Sequence, residues 1–315
     1  MSTRQQRRAE ERKAGKATKR CHWVPQAYLR NFQVPGSKGK IWRFSRHHGE
    51  PDPELKPIEK VAVKFHLYSV LDPATNQRDD SFERELSILE QLFGGDLWNE
   101  LSNDYVDLAD PDLRVMLSVL VATMEYRNPR KLDEFIAAHR QMVEMLSFLD
   151  GNPDWIGKPI EIIQKGKTSL LDTSDWHSYK LSSDEDLKRE WIGMIRRIGW
   201  YAQSLSKKRW SILVSDKPVF ITSDNPVGHL HPSLSFMGVD NPESTISFPI
   251  SPTRVLSIDN RMSEPDNQYY KPENPSAAVN YNIWGQANSY MFSHRSPDEV
   301  IDELLSDERL HVLDQ

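Results

Sequence analysis

The chain has 315 residues, of which 38% are hydrophobic, 27% charged and 10% aromatic, and a formal net charge of −6. A disordered chain would carry fewer aromatics, and a single cysteine excludes both an internal disulfide framework and a cysteine-based metal cluster. No apolar run approaches the roughly 18 residues of a membrane helix, and no apolar core follows the charged N-terminus as in a secretory signal, so a cytoplasmic protein is expected.

Charge is placed unevenly. Residues 1–20 hold eight Lys or Arg against two Glu, a net of +6, which leaves −12 on the other 295 residues. This basic arm reads as a flexible tail able to meet nucleic acid or an acidic partner. The acidic remainder is poorly suited to covering a phosphate backbone. Residues 21–315 are expected to form a single α+β domain, helical over about 79–207 and strand-rich over about 208–294.

In chain order, a short helix enters through Pro25, because proline suits a first helical turn, and Tyr28, Leu29 and Phe32 fall near one face. Lys40–Ser45 and Val61–Val70 read as strands from their aromatic and β-branched residues. Asp79-Asp80-Ser81 caps a helix carrying Phe82, Leu86, Leu89 and Phe93 at helical spacing, and Gly94-Gly95 stops it. Asp110-Pro111 starts the longest helical segment, running to about Leu149, which Pro129 should break after Arg127. Residues 150–180 are turn-rich and are expected to be a mobile or inserted segment. Ser183 caps a further helix to about Lys207.

From Trp210 the period changes. Trp210–Val214, Val219–Thr222, Ser247–Ile250 and Arg254–Ile258 are short apolar segments cut by Pro and Asp-Asn turns. They read as a small, mostly antiparallel sheet, which strands from the N-terminal part can complete against the helical middle. Ala277–Gly285 reads as helix, Ser289–Ser293 as strand and Pro297–Leu305 as a closing helix.

Nucleotide-binding glycine loops, a His-Glu-x-x-His pair and a Gly-x-Ser-x-Gly nucleophile elbow are all missing from the sequence. The pairs His47-His48 and His229/His231 sit in polar turns and read as loop residues rather than metal ligands. Cys21 beside His22 is not read as a nucleophile and its base, since adjacent residues seldom achieve that geometry. A metal site using Glu90 with His22 and Asp224 is an alternative to their pairing and turn roles, and no cofactor is named by these residues.

Three segments are unusually specific: His22-x-Val-Pro-Gln-x-Tyr-Leu-Arg-x-Phe32, Phe220-Ile-Thr-Ser-Asp-Asn-Pro-Val227 and Phe248-Pro-Ile-Ser-Pro252. Together they resemble the bacterial family of domain of unknown function 4238, over about His22 to Phe292. The resemblance brings no established activity, so any function must come from the residues themselves.

Gln26 and Arg30 are four apart on the first helix and share a face, with His22 just before it. Arginine offers a planar donor fork to phosphate or carboxylate, and histidine exchanges a proton near neutral pH. Asp224 ends an apolar strand, where it can project a carboxylate or, with Ser223 and Asn225, tie down a turn. Glu83 and Glu90 lie two helical turns apart on one face and are expected to pair with Arg127. Trp210, Trp284 and Tyr28 read as core aromatics or pocket walls.

These residues point to a hydrolase-like enzyme acting on an anionic, phosphate- or carboxylate-bearing substrate, with a nuclease as one form. His22, Asp224 and Arg30 would be catalytic, and Gln26, Arg127, Ser223 and Asn225 would bind substrate. The alternatives are a non-catalytic binding protein using its basic arm for nucleic acid or an acidic partner, and segments that serve folding alone. In that last case Arg30 pairs with a buried carboxylate and His22 caps the helix.

Overall fold

The computed structural model describes residues 20–45, 53–164, 167–231, 238–272 and 276–306. Most of the basic arm and the His47-His48 pair lie outside the described residues. The first part of the chain runs β1 (Arg20–His22), α1 (Gln26–Leu29), β2 (Lys40–Ser45), β3 (Glu54–Pro57), β4 (Val63–Phe65), β5 (Val70–Asp72) and β6 (Gln77–Asp79). The helical middle follows: α2 (Ser81–Glu90), α3 (Asp96–Asn103), α4 (Pro111–Tyr126), α5 (Pro129–Met145), the hairpin β7 (Ile160–Gln164) and β8 (Lys167–Leu171), α6 (Trp176–Lys180), α7 (Asp184–Arg196) and α8 (Gly199–Ser206). The last part is β9 (Arg209–Val214), β10 (Thr222–Ser223), β11 (Gly228–Leu230), β12 (Thr245–Ser251), β13 (Arg254–Asp259), β14 (Gln268–Tyr270), α9 (Ser276–Gln286), β15 (Tyr290–Ser293) and α10 (Pro297–Ser306). The fold is α+β.

The strands divide between two main sheets rather than one. The order β10–β15–β2–β3 is antiparallel and joins the two ends of the chain. The order β11–β12–β13–β9–β14 is antiparallel except where β14 runs parallel to β9. Arg209 and Asp259 face each other across β9 and β13 in a buried two-pronged ion pair at 2.9 and 2.7 Å. Gly228 on β11 has no room for a side chain, because a Cβ there would stand 2.8 Å from Asn282 Nδ2 and 2.9 Å from Ser247 Oγ.

Local chemistry sets the helix limits. Asp110 accepts from the amides of Asp112 and Leu113, with Pro111 in the first turn. Pro129 ends the apolar run as expected, and Asn128 caps the next helix by accepting from Arg130 N. Ser183 and Asp186 form a reciprocal capping box. The helix they start ends at Arg196, and α8 restarts at Gly199, so the single helix to Lys207 is in fact two.

Two other strand expectations need correction. Val61–Val70 holds only β4 and the first residue of β5. His66 takes a φ of +54° and Ala62 +49°, left-handed conformations that no strand contains. Val219–Thr222 is strand only at its last residue. The amides of Val219 and Phe220 both donate to the Pro252 carbonyl, and that of Ile221 to Asn280 Oδ1, so turn and side-chain acceptors replace a ladder.

The main core surrounds α4, where Leu113, Leu117, Leu120, Val121 and Met124 pack with Tyr28, Phe32, Trp98, Trp210 and Phe248. Tyr28 and Trp210 are thus core, fully buried. Trp284 packs its ring edge-on to Phe44 in a smaller cluster. A further cluster gathers Cys21, Tyr68, Phe82, Leu86 and Trp191 between β1, α2 and α7. The turn-rich 150–180 segment packs its hairpin and α6 on a cluster of Leu146, Leu149 and Trp176. Among the described residues, no helix is long and apolar enough to cross a membrane.

Candidate functional site

Four consecutive residues at the end of α4 reach in different directions and bring the specific segments together. Glu125 Oε2 accepts from the Tyr201 hydroxyl at 2.6 Å, and its Oε1 lies 3.0 Å from His229 Nε2. Burial pushes the Glu125 carboxyl up, but His229 and the Tyr201 hydrogen bond outweigh it and hold the group below the usual carboxylate range. The Tyr126 carbonyl accepts from Trp191 Nε1 at 3.0 Å. Arg127 is 1% exposed and donates through Nη2 to Glu90 Oε1 and to the His22 carbonyl, both at 2.6 Å. The expected pairing of Arg127 across the helices is therefore made with Glu90. Asn128 donates to the Asp224 carbonyl and to Asn225 Oδ1, each at 3.2 Å.

The aspartate turn closes on itself. Asp224 Oδ1 accepts from the Asn288 amide at 2.8 Å, and Oδ2 from those of Ser289 and Tyr290 at 2.9 and 3.1 Å. Burial raises its carboxyl to about 6 against these three bonds, and the residue is 2% exposed. Ser223 Oγ donates to the Asn225 carbonyl and accepts from the Asn225 amide, while Asn225 Nδ2 donates to the Gln286 carbonyl. Trp23 Nε1 donates to the Asp224 carbonyl and the Tyr28 hydroxyl meets Thr222 Oγ1, each at 2.8 Å, so the two distant motifs do touch.

The histidine helix lies on the other side of Arg127. His22 Nε2 must be the donor to the Glu59 carbonyl at 3.3 Å, which leaves Nδ1 to accept from Gln26 Nε2 at 3.4 Å. Burial lowers the His22 pKa, leaving the imidazole less basic than usual. Arg30 is exposed, and its guanidinium makes no hydrogen bond or ion pair among the described residues. The buried carboxylate expected for it as a folding determinant is absent there.

The most perturbed partly accessible acid in this group is Glu83, on the face of α2 that also carries Glu90. Burial pushes its carboxyl up to about 7, against the Arg127 guanidinium and with the Glu90 charge adding to the rise. Its Oε2 is buried and has no hydrogen-bond partner among the described residues. The Cys21 thiol hydrogen-bonds this carboxyl and is itself raised to about 11 by burial, so it stays a thiol at neutral pH. The seven-residue spacing of Glu83 and Glu90 opposite Arg127 was the sequence signal for this cluster; what it lacked was which carboxylate Arg127 would leave unpaired.

Chemically, a carboxyl that titrates near neutrality beside a fixed ion pair is a group able to give and take a proton. Among the described residues, no group of three His, Cys, Asp or Glu could hold a metal ion. His229 and His231 have separate partners, Glu125 for the first and Asn241 for the second, the latter at 3.2 Å.

A family model described as protein of unknown function (DUF4238) matches residues 20–298, a span that contains every site residue above. No curated protein and no solved structure matches the chain.

Proposed function

The chain belongs to the DUF4238 family of proteins of unknown function, and from that premise we propose that it is a hydrolase-like enzyme acting on an anionic, phosphate- or carboxylate-bearing substrate. Glu83 is the acid–base group. The observation that carries this reading is its carboxyl, raised to about 7 and with one oxygen unpartnered, beside the Arg127–Glu90 ion pair. Arg30, exposed at the start of the 3-10 turn that continues α1, receives the substrate anion. His22 positions Gln26 rather than moving a proton, since both its ring nitrogens are engaged. Arg127 holds Glu90 and the His22 backbone, and Asp224 with Ser223 and Asn225 anchors the turn.

The test is hydrolysis of phosphomonoesters, phosphodiesters and carboxylic esters by the purified chain. Turnover of an anionic member of this set is expected, with a pH–rate limb near 7. Glu83→Gln should lower kcat by at least about a hundredfold, the ordinary contribution of a general acid or base. Arg30→Ala should raise KM more than it lowers kcat. A folded Glu83→Gln protein with undiminished turnover contradicts the reading.

The charge of the first twenty residues, net +6, favours a second role in contacting nucleic acid. It predicts salt-sensitive binding that is lost when residues 1–19 are removed; equal binding by the truncated protein excludes it.

A further inference from the structure

The basic character of the arm does not end where the fold begins. Residues 21–45 add Arg30, Lys38, Lys40 and Arg43 and no Asp or Glu, so the first 45 residues hold twelve Lys or Arg against two Glu, a net of +10. Arg43 is taken up by Glu54 at 3.1 Å, and Arg30 belongs to the site already described. The others gather at one turn. The Gly39 carbonyl accepts from the Ile58 amide at 3.0 Å, which sets the Lys38–Lys40 bend against the 3-10 turn Ile58–Lys60. Arg20 Nη2 donates to the Glu59 carbonyl of that same turn at 2.8 Å. Lys38, Lys40 and Lys60 are exposed, and their ammonium groups make no hydrogen bond or ion pair among the described residues. The one carboxylate on residues 20–22, 38–40 and 58–60 is Glu59, itself exposed.

An aromatic ring stands beside these cations. Phe65 is 65% exposed and lies directly opposite Arg20 in the β1–β4 ladder, so the two side chains share one face. Lys64 alternates to the other face, toward Asp133 at 4.0 Å, and takes no part. Cations fit any polyanion; the exposed ring narrows the choice. A base of a single strand can stack on it, whereas a duplex keeps its base faces against one another. A membrane surface would call for an apolar stripe beside the cations, and residues 2–19 contain no Leu, Ile, Val, Phe, Tyr or Trp.

We propose that this face binds single-stranded nucleic acid, with a base stacked on Phe65 and phosphates on Arg20, Lys38, Lys40 and Lys60. The arm joins the fold at Arg20, so a strand gathered by the arm passes directly onto this face. The proposal rests on the second role above, a contact with nucleic acid, and stands apart from the hydrolytic reading. It is tested by titrating the full chain into labelled oligonucleotides of about 16 nucleotides, single-stranded and duplex, over a range of salt. The variants are F65A, K38Q/K40Q/K60Q and, in the arm, R7Q/R8Q/R12Q/K13Q. The first two replace exposed side chains, and a thermal melt checks each fold.

The single strand is expected to bind more tightly than the duplex. F65A should weaken single-strand binding about fivefold or more, the loss of one stacked base, and leave its salt dependence unchanged. K38Q/K40Q/K60Q should lower the slope of log affinity against log salt by about 2, at roughly 0.7 for each phosphate contact on a single strand. Duplex bound as tightly as single strand, F65A binding undiminished, or an unchanged slope in K38Q/K40Q/K60Q each overturns the proposal. Binding of phosphatidylserine vesicles but not of the oligonucleotide assigns the face to a membrane and overturns it too. Weakening in R7Q/R8Q/R12Q/K13Q alone removes the face and leaves the arm; weakening in F65A and K38Q/K40Q/K60Q alone upholds the face and removes the arm.

Discussion

Burial acts on Glu83 and Asp224 in the same direction but with different consequences. Asp224 accepts three backbone amides, so its carboxylate is the anchor of the loop that leads into β15. Asp224→Ala removes the acceptor of those three backbone N–H groups. It should cost about 3 kcal/mol or more, read from the urea midpoint, against a fraction of that for a surface aspartate. Glu83 has no such compensation at Oε2. Its folded pKa, about 7, is above the unfolded value, so the folded state binds the extra proton. Stability from this group is therefore full below about pH 4.5 and declines as pH rises toward 7. Glu83→Gln keeps the shape and removes the charge, and should raise the unfolding free energy at pH 8 by an amount on the order of 2 kcal/mol, read as a higher Tm, while changing little at pH 4. An equal effect at both pH values would mean that packing, not ionisation, is what the substitution alters. At this scale the sequence was legible for the kinds of side chain present and not for their partners. His22 stands out in the sequence for its imidazole, yet its carbonyl is what Arg127 holds.

Among the elements, the join between α4 and α5 organises the candidate site. The break itself was readable, because proline at 129 cannot continue the hydrogen-bond ladder and asparagine before it is a good cap. Its role as a meeting point was not, since the partners of Asn128 are 96 and 97 residues away. Asn128→Ala removes a cap, worth about 1 kcal/mol alone, together with contacts to Asp224, Asn225 and Asn288. The expected loss is about 2–3 kcal/mol. Asn128→Ser, which caps without reaching Asp224, should recover only the cap, and full recovery would show that the long contacts are idle. Periodicity located α2, α4 and the strands β2, β9, β12 and β13 well. It failed over 61–70, where left-handed turns interrupt β-branched residues, and at Val219–Ile221, whose amides are satisfied by Pro252 and Asn280. Both failures arise from acceptors distant in sequence or from backbone angles that composition does not encode.

Across the whole molecule, the sheet β10–β15–β2–β3 returns the end of the chain to its beginning, as the sequence allowed, while the other strands form a second sheet. This closure sets the 22–30 segment and the 223–225 turn against the two sides of Arg127 and Asn128. The polar centre at that junction contains one carboxyl lifted to neutrality, and the proposed chemistry depends on it. Its titration can be followed directly by ¹³C NMR of the full chain carrying carboxyl-labelled glutamate, with Glu83→Gln identifying the resonance. A midpoint close to pH 7 is predicted. A midpoint near 4.3, the value of an unperturbed glutamate, would contradict the account.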